Sequence, residues 1–237
     1  MSELAFDDLG VLPPTEATGL ARSVRARDAA TLIIIRRDQA APRVLMGRRH
    51  GGHDFMPGKW VFPGGRIDPA DFRAPYATDL RPPVAARLEK TAPAARARAL
   101  ALAAVRETFE EVGLLLAKPS PPRPGAGPWR EFLAQGALPD LAALDFVARA
   151  VTPPMSPKRF DARFFMAEAE RLISLERRPD CGELDEIAWV ELDEALGLDL
   201  PTVTRFVLRE IPLRLADPDR LAPSLRFSRG RQQLQLL

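Results

Sequence analysis

The sequence predicts an α/β fold, and two observations lead to this prediction. Segments with the apolar runs typical of strands alternate along the chain with segments that have the 3.6-residue periodicity of helices. The sequence contains no internal repeat and no linker that would indicate a second hydrophobic core. Its 237 residues, 46% of them hydrophobic, are enough to bury one core. We therefore expect an N-terminal arm at 1–28 and a single α/β sandwich domain at 29–237.

The first part of the chain predicts three strands. Residues 1–28 follow neither period, which is why they are assigned to an arm. The nearly continuous β-branched run at 30–37 predicts a strand covered on both faces, and 43–49 predicts its hairpin partner. A short strand at 59–62 is expected to end in a turn at 63–65, where two glycines permit close backbone approaches.

A long helix is predicted to follow a polar segment. Four prolines punctuate 72–93, which leaves room for one short helix at 84–90. The helical period then runs from Ala94 to Val112. Gly113 suits the left-handed position just past a helix end, so the end of this helix is well specified.

The second half continues the alternation of strands and helices. Five prolines between residues 118 and 128 exclude regular structure, so this stretch is expected to be an exposed connection. The other predicted elements are helices at 129–135, 192–196 and 201–209 and strands at 146–152, 163–167 and 186–190.

The composition excludes several classes of protein. Thirty-four Lys and Arg against 32 Asp and Glu leave a formal net charge of +2, which gives no indication of nucleic-acid binding. The lone Cys181 excludes an internal disulfide and a metal site of several thiolates. The N-terminus is acidic, and the longest apolar runs fall far short of the roughly 20 residues that cross a bilayer. We expect a cytoplasmic protein that binds neither nucleic acid nor a membrane.

Three acids on the long helix occupy positions that local physics disfavours. The helix carries one apolar stripe, formed by Leu102, Val105, Phe109 and Val112. Glu107, Glu110 and Glu111 cluster on the opposite face, where like charges repel and carboxylates near the C-terminus oppose the helix dipole. Three oxygen ligands on one face suit Mg²⁺ or Mn²⁺; the alternative is a solvated acidic face.

The residues around these acids resemble the Nudix family. Residues 106–114 read Arg-Glu-Thr-Phe-Glu-Glu-Val-Gly-Leu, similar to the second half of the Nudix box, and 65–71 resemble its first half. Asp71 stands where the family has Glu, and Thr108 stands where it has an aliphatic residue. An insertion of 27 residues, at about 72–98, separates the two halves of the box.

The resemblance implies an α/β/α sandwich with a mixed central β-sheet and a metal-dependent hydrolase of diphosphates linked to another moiety. It assigns Glu107, Glu110 and Glu111 as ligands of Mg²⁺ or Mn²⁺, with a backbone carbonyl contributed by Gly65. It assigns Glu107 and Glu111 as catalytic residues, together with Arg106, which would orient a carboxylate through a charge-assisted pair. Which carboxylate is the general base stays open.

Further candidates lie in loops. In the family an additional acidic ligand often precedes a later Trp-containing strand. Here Glu183, Asp185 and Glu186 precede Trp189, although a plain surface acid is the favoured interpretation of each one taken singly. Candidate phosphate-binding cations, with solvated loop charges as the alternative, are Arg48, Arg49, Lys158 and Arg159. His50 and His53 could also bind phosphate groups, including the 3′-phosphate of CoA, but ordinary loop residues are the favoured interpretation and the two form a weak metal pair. Cys181 is treated as incidental, and Phe160, Phe164 and Phe165 are expected to pack in the core rather than stack on a base.

The substrate is inferred from the inserted box and its surroundings. Residues 56–65 and 157–165 resemble the branch of the family that contains peroxisomal coenzyme A diphosphatases, which implies cleavage of CoA or acyl-CoA to 3′,5′-ADP and (acyl-)4′-phosphopantetheine. One alternative is hydrolysis of ADP-ribose or another nucleotide sugar or dinucleotide. Another is a non-catalytic binding or regulatory protein, although retention of Arg106 and the three glutamates argues against a decayed site. A homodimer is expected by analogy alone.

Overall fold

The first predicted strand lies at the centre of the fold. A computed structural model describes residues 24–52, 57–154, 156–178, 184–228 and 231–237. Strand β1 (Arg27–Arg36) runs through the middle of the sheet, and its residues 32–35 are fully buried. Leu32 and Ile34 face one hydrophobic cluster, whereas Ile33 and Ile35 face another, so the strand is covered on both faces as predicted.

Nine strands form one mixed sheet in the described part of the chain, and two more form a small separate sheet. The strands are β1, β2 (Arg43–Arg49), β3 (Trp60–Val61), β4 (Gly64–Arg66), β5 (Ala117–Pro119), β6 (Ala137–Pro139), β7 (Asp145–Val151), β8 (Phe160–Glu168), β9 (Leu184–Glu191), β10 (Pro223–Ser228) and β11 (Arg231–Leu236). The large sheet has the order β11-β10-β7-β8-β1-β2-β3, with β4 paired to β1 and β9 to β2. The pairs β1–β8 and β7–β10 are parallel and the others antiparallel, which confirms the predicted mixed sheet.

Helices cover both faces of this sheet. They are α1 (Pro82–Glu89), α2 (Ala94–Val112), α3 (Trp129–Ala134), α4 (Leu192–Ala195) and α5 (Thr202–Ala216). Buried residues of the first three helices share one core cluster, and those of α4 and α5 share the other. The predicted α/β/α sandwich is therefore confirmed. None of the helices in the described ranges is long and apolar enough to cross a membrane.

Helix α2 is more deeply buried than its pattern predicts. Its bounds and its left-handed cap at Gly113 (φ 73°) agree with the prediction. However, 13 of its 19 residues are buried, because α2 packs against β1 and β4 and also contacts α1 and α3. Arg106, Thr108 and Glu111 are among the buried residues, so the acidic face is not simply a solvated one.

Several elements differ from the sequence prediction. The predicted turn at 63–65 is wrong, since Gly64–Arg66 continues as β4, antiparallel to β1. A Cβ at Gly64 would lie 2.5 Å from the Ala30 carbonyl oxygen, so glycine is what permits this pairing. The expected connection at 118–128 begins inside β5, and α5 continues past residue 209 through Pro212. Strands β6, β10 and β11 were not predicted. Phe164 and Phe165 are buried as expected, and Phe160 is half-buried.

The inserted segment at 72–98 is docked on the rest of the molecule. It contains α1, whose Val84 and Leu88 are buried in the core, and it ends in the first turn of α2. The Thr78 hydroxyl donates to Asp140, and Arg81 pairs with Asp145. These contacts fix the insertion to the segment between β6 and β7.

Candidate active site

The Arg106 guanidinium binds the acids of the two halves of the split box. Its Nε and Nη2 donate to the two carboxylate oxygens of Asp71, at 2.9 and 3.0 Å. Its Nη1 donates to Glu107 at 2.9 Å and to Glu110 at 2.8 Å, and its Nη2 also donates to the Arg66 carbonyl at 2.9 Å. Because Arg106 is only 3% exposed, these contacts hold the end of β4 and the acidic face of α2 together.

Asp71 is fully buried, and both of its carboxylate oxygens accept hydrogen bonds. It lies in the 3-10 turn Pro69–Phe72, where the Asp68 backbone N–H donates to Oδ2 at 2.8 Å. The Trp129 indole of α3 donates to Oδ1 at 2.9 Å, in addition to the two bonds from Arg106. The residue that departs from the family pattern therefore makes a paired and hydrogen-bonded site, as a buried carboxylate requires.

Glu111 and Glu107 of the box lie against Gly64 and Gly65, where β4 meets α2. The Gly64 N–H donates to Glu111 Oε2 at 3.0 Å, and Glu111 is 4% exposed. A Cβ at Gly65 would lie 2.5 Å from both carboxylate oxygens of Glu107, so only glycine allows Glu107 to lie here. Within the described ranges, no three acidic, histidine or cysteine side chains are arranged to hold a metal ion. Glu107 and Glu110 both accept hydrogen bonds from Arg106.

Burial and the surrounding charges shift two pKa values in this cluster. Burial, with a further contribution from the Glu107 charge, raises the pKa of Glu110 to about 7 although Arg106 opposes the shift. Burial alone would lower the pKa of Arg106, but the hydrogen bond to Asp71 and the charges of Glu107, Asp71 and Glu110 hold it above its usual value. Arg106 is therefore a permanent cation among acids, one of which is only partly ionised at neutral pH.

A cleft of about 690 Å³ opens beside this cluster. Arg106 and Glu107 form one edge, and the remaining wall comes from the start of β1 and the end of β4, at 24–28 and 66–68. Three exposed arginines, Arg25, Arg27 and Arg66, line this wall. The sequence analysis did not select them, because two fall within the predicted arm and the third within the predicted first half of the box.

The predicted loop residues lie at the same end of the sheet but have different surroundings. Arg48 forms a 3.3 Å ion pair with Glu186, and both side chains are about half exposed. The Arg159 guanidinium donates to the Val24 carbonyl at 2.6 Å and to the Thr152 carbonyl at 3.2 Å, which ties the cleft wall to the β7–β8 connection. Arg49 pairs through its backbone N–H with the Lys59 carbonyl at 3.0 Å, and Lys158 is exposed.

Two of the remaining predicted residues, His50 and Asp185, lie near each other, and others lie outside the described residues. The Gly52 N–H donates to His50 Nδ1 at 3.0 Å, and Nε2 lies 3.7 Å from Asp185. Glu183, Cys181, His53 and residues 1–23 of the arm lie outside the described residues.

Comparisons with known proteins agree with the architecture. No family model matches the chain. It is 28% identical over 213 residues to the acyl-coenzyme A diphosphatase of Gallus gallus, covering 65% of this chain and 55% of that protein. It is 28% identical over 176 residues to the acyl-coenzyme A diphosphatase of Homo sapiens, covering 52% of this chain and 47% of that protein. The chain thus spans about half the length of the curated relatives it matches.

The likeness extends to a solved structure. A NUDIX hydrolase from Alicyclobacillus acidocaldarius superposes on the chain with a TM-score of 0.60 at 29% identity. The match covers 81% of this chain and 96% of that one, so it includes nearly all of the smaller protein.

Proposed function

We propose that this chain, a member of the Nudix hydrolase family, cleaves the diphosphate of coenzyme A or acyl-coenzyme A to 3′,5′-ADP and (acyl-)4′-phosphopantetheine. The observation that carries the hydrolase proposal is the binding of Asp71, Glu107 and Glu110 by one buried guanidinium, that of Arg106. The similarity to two acyl-coenzyme A diphosphatases supports the substrate class.

The donor chemistry of the site fits a hard divalent cation. Glu107, Glu110 and Glu111 offer only carboxylate oxygens, which Mg²⁺ and Mn²⁺ prefer. The missing side chain of Gly65 leaves room for the Glu107 carboxylate itself, which a Cβ would displace. Such an ion, when bound, would make water a better nucleophile and offset negative charge on the diphosphate.

The side chains of this chain supply position and proton transfer. Arg106 binds both Glu107, at the edge of the cleft, and Glu110, and the Gly64 N–H binds Glu111. The general base is a carboxylate of this cluster, Glu107 or Glu111, which accepts the proton of the attacking water. The cleft beside Glu107 receives the substrate, whose anionic groups the surrounding arginines attract.

Asp71 weighs against the alternative of a decayed, non-catalytic site. Random drift at a buried acid would leave unpaired donors, whereas Asp71 accepts from Arg106, Trp129 and the Asp68 backbone. The shorter carboxylate is therefore accommodated by its surroundings, and Arg106 remains held in place.

A substrate panel tests the proposed function. Purified protein is incubated with Mg²⁺ or Mn²⁺ and with CoA, an acyl-CoA, ADP-ribose or a dinucleoside polyphosphate, and the products are separated by chromatography. We expect 3′,5′-ADP from CoA or acyl-CoA and no metal-independent turnover. Turnover of ADP-ribose or a dinucleotide in place of CoA would overturn the substrate class, and no metal-dependent turnover at all would overturn the hydrolase.

A further inference from the structure

The wall of the cleft carries cations that lack acidic partners. In the described part of the chain, the side chains of Arg25, Arg27 and Arg66 make no hydrogen bond or ion pair. Several other surface arginines end on carboxylates, as Arg37 does on Glu168 and Arg98 on Asp79. Three solvated guanidinium groups around one concave surface constitute a site for an anion rather than for an apolar ligand.

The acids in the same cleft are already engaged. Asp28 lies 3.3 Å from the nearly buried Arg163 and 3.6 Å from Arg96. Asp68 Oδ1 accepts from the Ala70 N–H at 2.8 Å, and Glu107 is paired with Arg106. Asp28 and Glu107 are thus paired with cations, whereas Asp68 is engaged by a backbone N–H. Within the described residues, the three wall arginines outnumber this one acid of the cleft that has no cationic partner.

The wall also lies to one side of the acidic cluster. The cleft touches that cluster only through Arg106 and Glu107; Glu110 and Glu111 are not part of its lining. Arg66 is held near Glu107 because its carbonyl accepts from Arg106, and Arg25 follows Val24, whose carbonyl is held by Arg159. A ligand that extends from Glu107 into the cleft would therefore bring a second anionic group to the arginines.

We propose that Arg25, Arg27 and Arg66 bind a phosphate monoester of the substrate that lies outside the diphosphate being hydrolysed. The inference rests on the proposed function, in which the diphosphate lies at the glutamates. Guanidinium groups bind phosphate oxygens through paired, charge-assisted hydrogen bonds. In coenzyme A the matching group is the 3′-phosphate, so the cleft selects substrates that carry it over those that lack it.

The experiment compares CoA with 3′-dephospho-CoA, which differ only in that phosphate. Binding is measured by calorimetry in EDTA, where no metal supports turnover, for the wild type and for an Arg25→Gln, Arg27→Gln, Arg66→Gln triple variant. The matched control is Arg226→Gln, an exposed arginine on β10 that lies outside the cleft lining. We expect the wild type and the control to bind CoA at least about tenfold more tightly than dephospho-CoA, and the triple variant to bind both within about twofold.

Kinetics with Mg²⁺ separates failure of this inference from failure of the proposed function. We expect the triple variant to raise KM for CoA by about tenfold or more with little change in kcat, and to leave dephospho-CoA unaffected. Equal binding of the two ligands by the wild type, or a preference that survives in the triple variant, overturns the inference. Absence of any metal-dependent turnover overturns the proposed function alone, because binding in EDTA still reports the phosphate site.

Conservative variants guard against a general loss of folding. Circular dichroism is compared first, and exposed side chains are expected to tolerate Gln. The three Arg→Lys exchanges keep the charge and lose the paired geometry, so they should retain an intermediate preference for CoA. A full wild-type preference for CoA in the Lys variant, with folding intact, would contradict paired binding of the phosphate by the guanidinium groups.

Discussion

At the scale of single residues, Gly64 and Gly65 have different reasons to be glycine. A Cβ at Gly65 would meet the flexible end of Glu107, which can move aside. We therefore expect Gly65→Ala to fold normally but to displace Glu107, with kcat for CoA reduced by about 100-fold and a melting temperature close to that of the wild type. Steady-state kinetics and thermal unfolding check this expectation.

The matched variant is Gly64→Ala. Its Cβ would lie 2.5 Å from the Ala30 carbonyl oxygen, in backbone that cannot yield easily. We expect this change to lower the free energy of unfolding by about 1–3 kcal/mol. Wild-type kcat in Gly65→Ala would contradict the assignment of Glu107 to the site.

Glu111 offers a test of charge at a fixed position. Because Gln keeps an oxygen that can accept the Gly64 N–H, Glu111→Gln should leave the fold intact. We expect it to abolish metal-dependent hydrolysis, with activity reduced by at least about 100-fold, because a carboxylate is lost from the donor set. Glu89→Gln, at the exposed end of α1, is the control and should retain full activity. A near-normal rate in Glu111→Gln would remove Glu111 from the metal and catalytic assignments.

Asp71 tests whether the departure from the family pattern is decay or adaptation. Its side chain is fully buried and its two oxygens accept four hydrogen bonds, from Arg106, Trp129 and Asp68. Asp71→Glu restores the family residue but adds a methylene where no space is open, so we expect destabilisation by about 1–3 kcal/mol and lower activity. Urea denaturation measures the first effect. A Glu variant that is more stable or more active than the wild type would favour decay.

At the scale of elements, the insertion is a structural part of the core. Leu88 of α1 is fully buried in the hydrophobic cluster shared with α2. Helix α1 is therefore part of the core and is not placed as a lid over the site. We expect Leu88→Ala to lower the free energy of unfolding by about 2–5 kcal/mol, measured by urea denaturation. Leu213→Ala, on an α5 leucine that is 39% exposed, should change it by less than about 1 kcal/mol. Similar small effects in both variants would show that the insertion is only loosely attached.

The sequence predicts best those helices and strands whose residue pattern lies within the element itself. The ends of α2 follow from its periodicity and from Gly113, and the buried β1 follows from its β-branched run. Strands β10 and β11 were missed because residues 223–236 are largely polar, and β5 and β6 are only three residues long. Pairing across the sheet, rather than local preference, forms these strands.

The same limit applies to the candidate site. Arg106 and the three glutamates are contiguous in the chain, so their pattern predicts them as a group. The contacts of Asp71 with Arg106 and Trp129 join residues 35 and 58 positions apart, which no sequence period reports. Likewise the arginines of the cleft come together only when β1 and β4 pair.

At the scale of the whole molecule, Asp140 joins segments that are far apart in the chain. It accepts from the Thr78 hydroxyl of the insertion and pairs with Arg171, which follows β8, at 2.6 Å. Burial alone would raise the pKa of Asp140, but the hydrogen bonds from Thr78 and Arg171 outweigh it and hold the pKa below its usual range. A carboxyl with a lowered folded-state pKa stabilises the fold above its unfolded pKa of about 3.9 and loses that effect as the pH falls through the folded value.

We therefore expect Asp140→Asn to be less stable than the wild type by about 1–3 kcal/mol at pH 7, and this difference to shrink as the pH falls below about 4. Urea denaturation of both proteins from pH 7 to pH 3 measures the difference at each pH. Glu170→Gln removes an exposed acid and should show a small difference that hardly varies with pH. If the Asp140→Asn difference stayed constant down to pH 3, the ionised carboxylate would not be what ties the insertion to Arg171, and packing around Thr78 would have to account for the docking.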